Sequence, residues 1–100
     1  METIFAYGTL KDPKVQQEVI GREIEGAADH LDGCIKSHFQ HGDRKTYPVI
    51  ICPIEGHGVD GITFDVTPEE LTKIDQYEED FYKRQRVRLK SGREAWTYTK

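Results

Sequence analysis

Glu78 is the residue whose type and position in this sequence point most directly to chemistry. It closes the run from Thr67 through Leu71, Ile74, Asp75 and Tyr77, which carries the signals of a helix from Pro68 to about Glu79. At about 100° per residue, Leu71 and Ile74 define the inward direction and Glu78 falls within about 10° of it. Tyr77 lies roughly 90° away on one flank and Asp75 about 70° away on the other. An acid aimed at a core must find a partner or resist ionisation, and a carboxyl that titrates near neutrality is suited to moving protons. A last turn that frays leaves Glu78 to pair with Arg84 or Arg86 instead, and the wheel does not choose between the two.

Tyr7-Gly8-Thr9-Leu10 offers a second element. Here the chain leaves an apolar strand through a glycine and soon starts a helix, so that successive amides can converge on an anion or a developing oxyanion. The same residues also suit an ordinary structural turn. Tyr82, four residues after Glu78, and Tyr47, beside Pro48, are phenols able to orient a substrate; Tyr47 reads better as a core residue. His30, Cys34, His38 and His41 are ligand types that zinc accepts. No second tight pair follows them, so they are expected to be loop or edge-strand residues, with no metal bound.

These groups need a scaffold, and the pattern of the chain is mixed α/β. Thr3 to Tyr7 reads as a buried strand that stops at Gly8. Asp12 can cap a following helix with Pro13 in its first position, Val15, Val19 and Ile20 as its apolar stripe and Gly21 at its end. From Ala27 to Asp65, turn signals at Asp32-Gly33, His41-Gly42-Asp43, Gly56-His57-Gly58 and Asp60-Gly61 separate short strands. Tyr47 to Cys52 is the most strand-like of these, and Pro48 and Pro53 confine it to an edge or bend. Ile62, Phe64 and Val66 share a face, and Val66 can staple onto Leu71. Thr67-Pro68-Glu69-Glu70 fits a capping box. Phe81 to Leu89 and Glu94 to Tyr98 read as a hairpin joined by Lys90-Ser91-Gly92-Arg93.

Composition narrows the function classes. One hundred residues hold one core, and 36% apolar with 32% charged residues of mixed sign describes a compact domain. The longest apolar run, Tyr47 to Pro53, falls far short of the roughly 20 residues a membrane helix needs, and Met1-Glu2-Thr3-Ile4 lacks a basic n-region. Fourteen Lys and Arg against 18 Asp and Glu leave a formal charge of -4, with no global field for nucleic acid. Arg84, Arg86, Arg88 and Lys90 alternate along one strand and read as its solvated face. Cys34 and Cys52 form no CxxC pair, so the simplest expectation is a cytoplasmic protein with free thiols.

Taken in order, Phe5-Ala6-Tyr7-Gly8-Thr9-Leu10-Lys11-Asp12-Pro13, Tyr47-Pro48-Val49-Ile50, Asp60-Gly61-Ile62-Thr63-Phe64, Ile74-Asp75-Gln76-Tyr77-Glu78, Tyr82-Lys83-Arg84 and Ala95-Trp96-Thr97-Tyr98 resemble the γ-glutamylcyclotransferase-like family, including its AIG2-like branch. The resemblance spans nearly the whole chain. It implies one α+β domain over residues 1–100, a small mixed-sheet β-barrel with flanking short helices. In the family, a catalytic glutamate from an LDxxE-type segment faces a YGxL loop across a cavity. Carried over by residue, Glu78 matches the catalytic acid/base, and Tyr7, Gly8, Thr9 and Leu10 match the substrate-binding loop. Tyr82 corresponds to a substrate-side tyrosine. Ile74 stands where leucine is usual, and Glu79 where relatives often have glycine; on the wheel Glu79 points about 100° away from Glu78.

The activity so implied is that of a transferase or lyase acting on a γ-glutamyl amine or peptide. The substrate's α-amine attacks its own γ-carbonyl, releasing 5-oxoproline and the amine that was attached. No cofactor, nucleic acid or membrane is expected to take part. The other readings are a small-molecule-binding module without turnover and an enzyme acting on a different small amide.

Overall fold

The computed structural model describes residues 1–40, 46–78 and 82–99. Strand β1 (Glu2–Ala6) leads through a single 3-10 turn (Thr9–Lys11) into helix α1 (Pro13–Ile20). Four strands follow, β2 (Ala27–Asp32), β3 (Ile35–Gln40), β4 (Thr46–Ile51) and β5 (Gly58–Val66). Helix α2 (Pro68–Glu78) and the strands β6 (Lys83–Arg88) and β7 (Glu94–Thr99) complete the order. Five strands form one sheet in the order β2-β5-β1-β7-β6, while β3 and β4 form a separate two-stranded sheet. Strand β1 sits at the centre, antiparallel to β5 and parallel to β7. The mixed α+β fold with flanking helices is as expected. Closure into a barrel is not reached, because β2 and β6 remain the two edges of the larger sheet.

Alternation along β1 explains the layers. Ile4 and Ala6 point to one side, into a cluster with Ile20, Phe64, Leu71 and Ile74, where the helices lie. Phe5 and Tyr7 point to the other, into a cluster with Leu31, Ile50, Val59 and Ala95 beneath the small sheet. A strand covered on both faces must be apolar throughout, and Ile4 and Phe5 are almost fully buried. The hollow described below opens where β1 ends.

Both helices start and stop as their sequences require. Asp12 accepts a hydrogen bond from the Lys14 amide at 2.9 Å, and Gly21 ends α1 at φ 78°, in the left-handed region. In α2 the Thr67 amide donates to Glu70 Oε1 at 2.9 Å and the Glu70 amide to Thr67 Oγ1 at 3.1 Å, a reciprocal capping box. Arg22 adds two bonds to the same carboxylate at 2.6 and 2.8 Å, and with them holds Glu70 down at about 2. The expected last helical residue, Glu79, lies outside the described residues, as do Phe81, His41 and the turn at Gly42-Asp43.

Among the described residues, strand β4 pairs only with β3, setting Pro48 opposite His38 on an edge that needs no donor, as its prolines demanded. The same register brings Cys34 and Cys52 together, and they form a disulfide. The expectation of free thiols is therefore corrected. Their separation of 18 residues hid the contact, which exists only because β3 and β4 pair along their full lengths. Arg84 and Arg86 stack over the Trp96 ring at 4.3 and 5.0 Å, so the basic stripe is partly held against the sheet rather than wholly solvated. No helix among the described residues is long and apolar enough to cross a membrane.

Candidate active site

A hollow with about 330 Å³ of empty space, open solvent at its mouth included, lies at the end of β1. The Phe5 to Leu10 segment lines it together with Pro48, Glu78, Tyr82 and Tyr98. All six residues singled out from the sequence thus meet in one place. Tyr47 does not line it and instead stacks on Phe39 at a centroid distance of 5.6 Å.

Each part is held in place by hydrogen bonds. The buried Gln16 side chain donates to the Leu10 carbonyl at 2.9 Å and accepts from the Ile24 amide at 2.8 Å, anchoring the loop to α1. Tyr7 donates to the Tyr98 carbonyl, and Thr97 donates to the Phe5 carbonyl at 3.0 Å, locking β1 to β7. Tyr82 donates to the Pro48 carbonyl and so ties the segment after α2 to β4. Thr9 and Tyr77 pair through their hydroxyls at 3.2 Å, bridging the loop and α2.

Glu78 follows the wheel. Its neighbours along the inward face, Leu71 and Ile74, are buried, and Glu78 itself is only 7% exposed. Neither Arg84 nor Arg86 reaches it; Arg84 pairs with Asp75 at 3.6 Å and both stack on Trp96. Among the described residues no side chain is paired with the Glu78 carboxyl. Burial without a partner raises its pKa to about 7. Burial likewise pushes the Tyr7, Tyr82 and Tyr98 phenols up, with the nearby Glu78 charge adding to each. Glu78 is therefore the one lining group described that changes charge near neutral pH.

Across from it, Gly8 needs its missing side chain for a steric reason. Its φ of -122° is open to any residue, but a Cβ there would meet Pro48 Cγ at 3.0 Å. The amides at the start of the following 3-10 turn have no acceptor within the turn itself. The hollow thus combines an unpaired acid, a turn whose first amides have no acceptor within it, and four aromatic side chains.

Sequence reasoning did not place Pro48 or Tyr98 in the lining, nor Gln16 and Asp75 behind it. Gln16 carried a signal: it falls between Val15 and Val19 on the apolar stripe of α1, where a polar residue needs a partner. Of the ligand types considered for zinc, Cys34 is in the disulfide, and His30 lies between Asp32 and Asp60 at 3.2 and 2.7 Å. His38 is on β3. No group of three such side chains comes together among the described residues.

An α+β domain with a buried glutamate facing a Tyr-Gly-x-Leu turn is the class defined by this fold and hollow, and the chain belongs to the gamma-glutamyl cyclotransferase, AIG2-like family, whose profile matches residues 4–100. No curated protein matches the chain. Among solved structures, that of an Arabidopsis thaliana protein is similar at 29% identity and a TM-score of 0.78, covering 98% of this chain and 67% of that one. An uncharacterized Homo sapiens protein superposes at a TM-score of 0.82 with 15% identity, covering 98% of this chain and 65% of its own. A protein named gamma-glutamyl cyclotransferase superposes at 0.81 with 14% identity, again over 98% and 65%. At 14 and 15% identity these last two speak for the fold alone. The chain spans about two thirds of the length of each of the three.

Proposed function

We propose that residues 1–100 act as one catalytic domain that cleaves a γ-glutamyl amide, releasing 5-oxoproline and an amine, with Glu78 as the proton carrier. The observation that carries this reading is the unpaired, buried Glu78 carboxyl facing the Tyr7 to Leu10 backbone across the hollow.

The chemistry asks little of a protein, because nucleophile and electrophile share one molecule. The Glu78 carboxylate takes a proton from the α-ammonium, and the freed amine nitrogen attacks the γ-carbonyl carbon. The carbonyl π pair moves to oxygen, and the Tyr7 to Leu10 amides stabilise that oxyanion or hold the α-carboxylate. As the oxyanion collapses, the original amide C–N bond breaks and the leaving nitrogen takes the proton back from Glu78, while the extra proton on the ring nitrogen passes to the regenerated carboxylate and from there to the released amine. Carboxyl and carboxylate are thus both needed in one turnover, which a group titrating near 7 supplies at small cost. An arriving α-ammonium also favours the carboxylate, since it brings the opposite charge that the empty site lacks.

The test is a panel of γ-glutamyl dipeptides, γ-glutamylamines and unrelated amides, with products identified by mass spectrometry. The reading expects 5-oxoproline from γ-glutamyl compounds only, with kcat/KM rising as pH passes about 7. Binding of these compounds without product contradicts it.

A further inference from the structure

Three phenols line the hollow beside Glu78, and each of their hydroxyls is bonded elsewhere. Tyr7 donates to the Tyr98 carbonyl, Tyr82 to the Pro48 carbonyl, and Tyr98 to Asp75 Oδ1 at 2.6 Å. On α2 itself, the Tyr77 hydroxyl pairs with Thr9. The first two acceptors are backbone carbonyls. The third is a side chain, and Asp75 stands one helical turn before Glu78 on the same helix. Arg84, on β6, steadies Asp75 at 3.6 Å and is itself held over Trp96.

We infer that Asp75 is a positioning residue: by holding the Tyr98 hydroxyl away from the hollow, it keeps the Glu78 carboxyl free of a hydrogen-bond donor and able to exchange its proton with substrate. The inference rests on Glu78 acting as proton carrier. A phenol donating to Glu78 would stabilise the carboxylate and weaken it as a base. Tyr98 and Glu78 line the same hollow, and Asp75, which now accepts from the Tyr98 hydroxyl, lies one helical turn from Glu78. Among the described residues, the charged and titratable groups around Glu78 are then Tyr7, Tyr82 and Tyr98 from the strands and segment packed beside α2, Asp75 and Tyr77 on α2, and Arg84 behind Asp75.

Carboxyl-carbon NMR titration of Glu78 tests this without relying on turnover, with the resonance assigned by its absence in Glu78→Gln. Asp75→Ala frees the Tyr98 hydroxyl and is expected to lower the Glu78 midpoint by about one unit or more. Asp75→Asn keeps an acceptor and loses only the charge, so its midpoint stays at the wild-type value. Tyr98→Phe removes the donor and also leaves the midpoint unchanged, alone or combined with Asp75→Ala. Equal shifts in Asp75→Ala and Asp75→Asn would assign the effect to charge and overturn the inference, as would no shift in Asp75→Ala. A raised midpoint in Tyr98→Phe would mean that Tyr98 already donates to Glu78, and overturns it even where Asp75→Ala does not fold. Should the panel of amides yield no product while these midpoints move as stated, the cyclotransferase reading fails and the positioning role of Asp75 stands.

Discussion

A Cβ built on Gly8 would lie 3.0 Å from Pro48 Cγ, so the loop on one side of the hollow and the small sheet on the other are in contact with no room for a methyl group between them. Proline cannot swing aside as a longer side chain would, and its carbonyl holds Tyr82. Gly8→Ala is therefore expected to displace β4, at a stability cost of roughly 1–2 kcal/mol and at least a tenfold loss in kcat/KM. Urea unfolding and steady-state kinetics on the variant check both numbers.

Glu78 should leave a mark on stability that is separate from activity. Its folded-state pKa of about 7 lies above the ordinary 4.5, so the folded protein holds the proton more tightly than the unfolded chain. The resulting stability is fully present below pH 4.5 and is lost as pH rises through about 7. The loss amounts to about 3 kcal/mol at most. Glu78→Gln lacks this loss. Its stability relative to wild type is expected to improve between pH 4 and 8 by about that amount, as read from denaturant unfolding at both ends of the range.

The Cys34–Cys52 bond spans a sequence separation of 18 residues and encloses the whole of β3 and β4. Loop-closure entropy for such a span corresponds to about 3 kcal/mol. A dithiol reductant should lower the unfolding midpoint of the wild-type protein and leave that of Cys34→Ala/Cys52→Ala unchanged. An unmoved wild-type midpoint would mean that the two sulfurs are not joined.

How much of this could be read from the chain follows from the range of each interaction. Asp12, Pro13, Gly21, Thr67 and Glu70 set helix ends through bonds to residues a few positions away, and their signals are local. Glu78 was legible because Leu71 and Ile74 lie on the same helix and define its inward face. Tyr98 and Pro48 were not. Alternation marks which face of a strand is buried, but not which end of it meets a cavity, and that depends on how the small sheet packs beside β1. The Asp75–Tyr98 bond crosses 23 residues, and the Cys34–Cys52 bond depends on the register of β3 against β4. Barrel closure was likewise beyond local pattern, since it turns on whether β2 and β6 meet across space.

The central claim, that the Glu78 carboxyl carries the proton in cyclisation, is tested most directly by comparing 5-oxoproline release by wild-type protein and Glu78→Gln under the same conditions. The amide fills the same space and cannot exchange a proton, so release is expected to fall by about 10²–10⁴-fold while the circular dichroism spectrum stays that of the wild type. Release at the wild-type rate from the folded variant would contradict it.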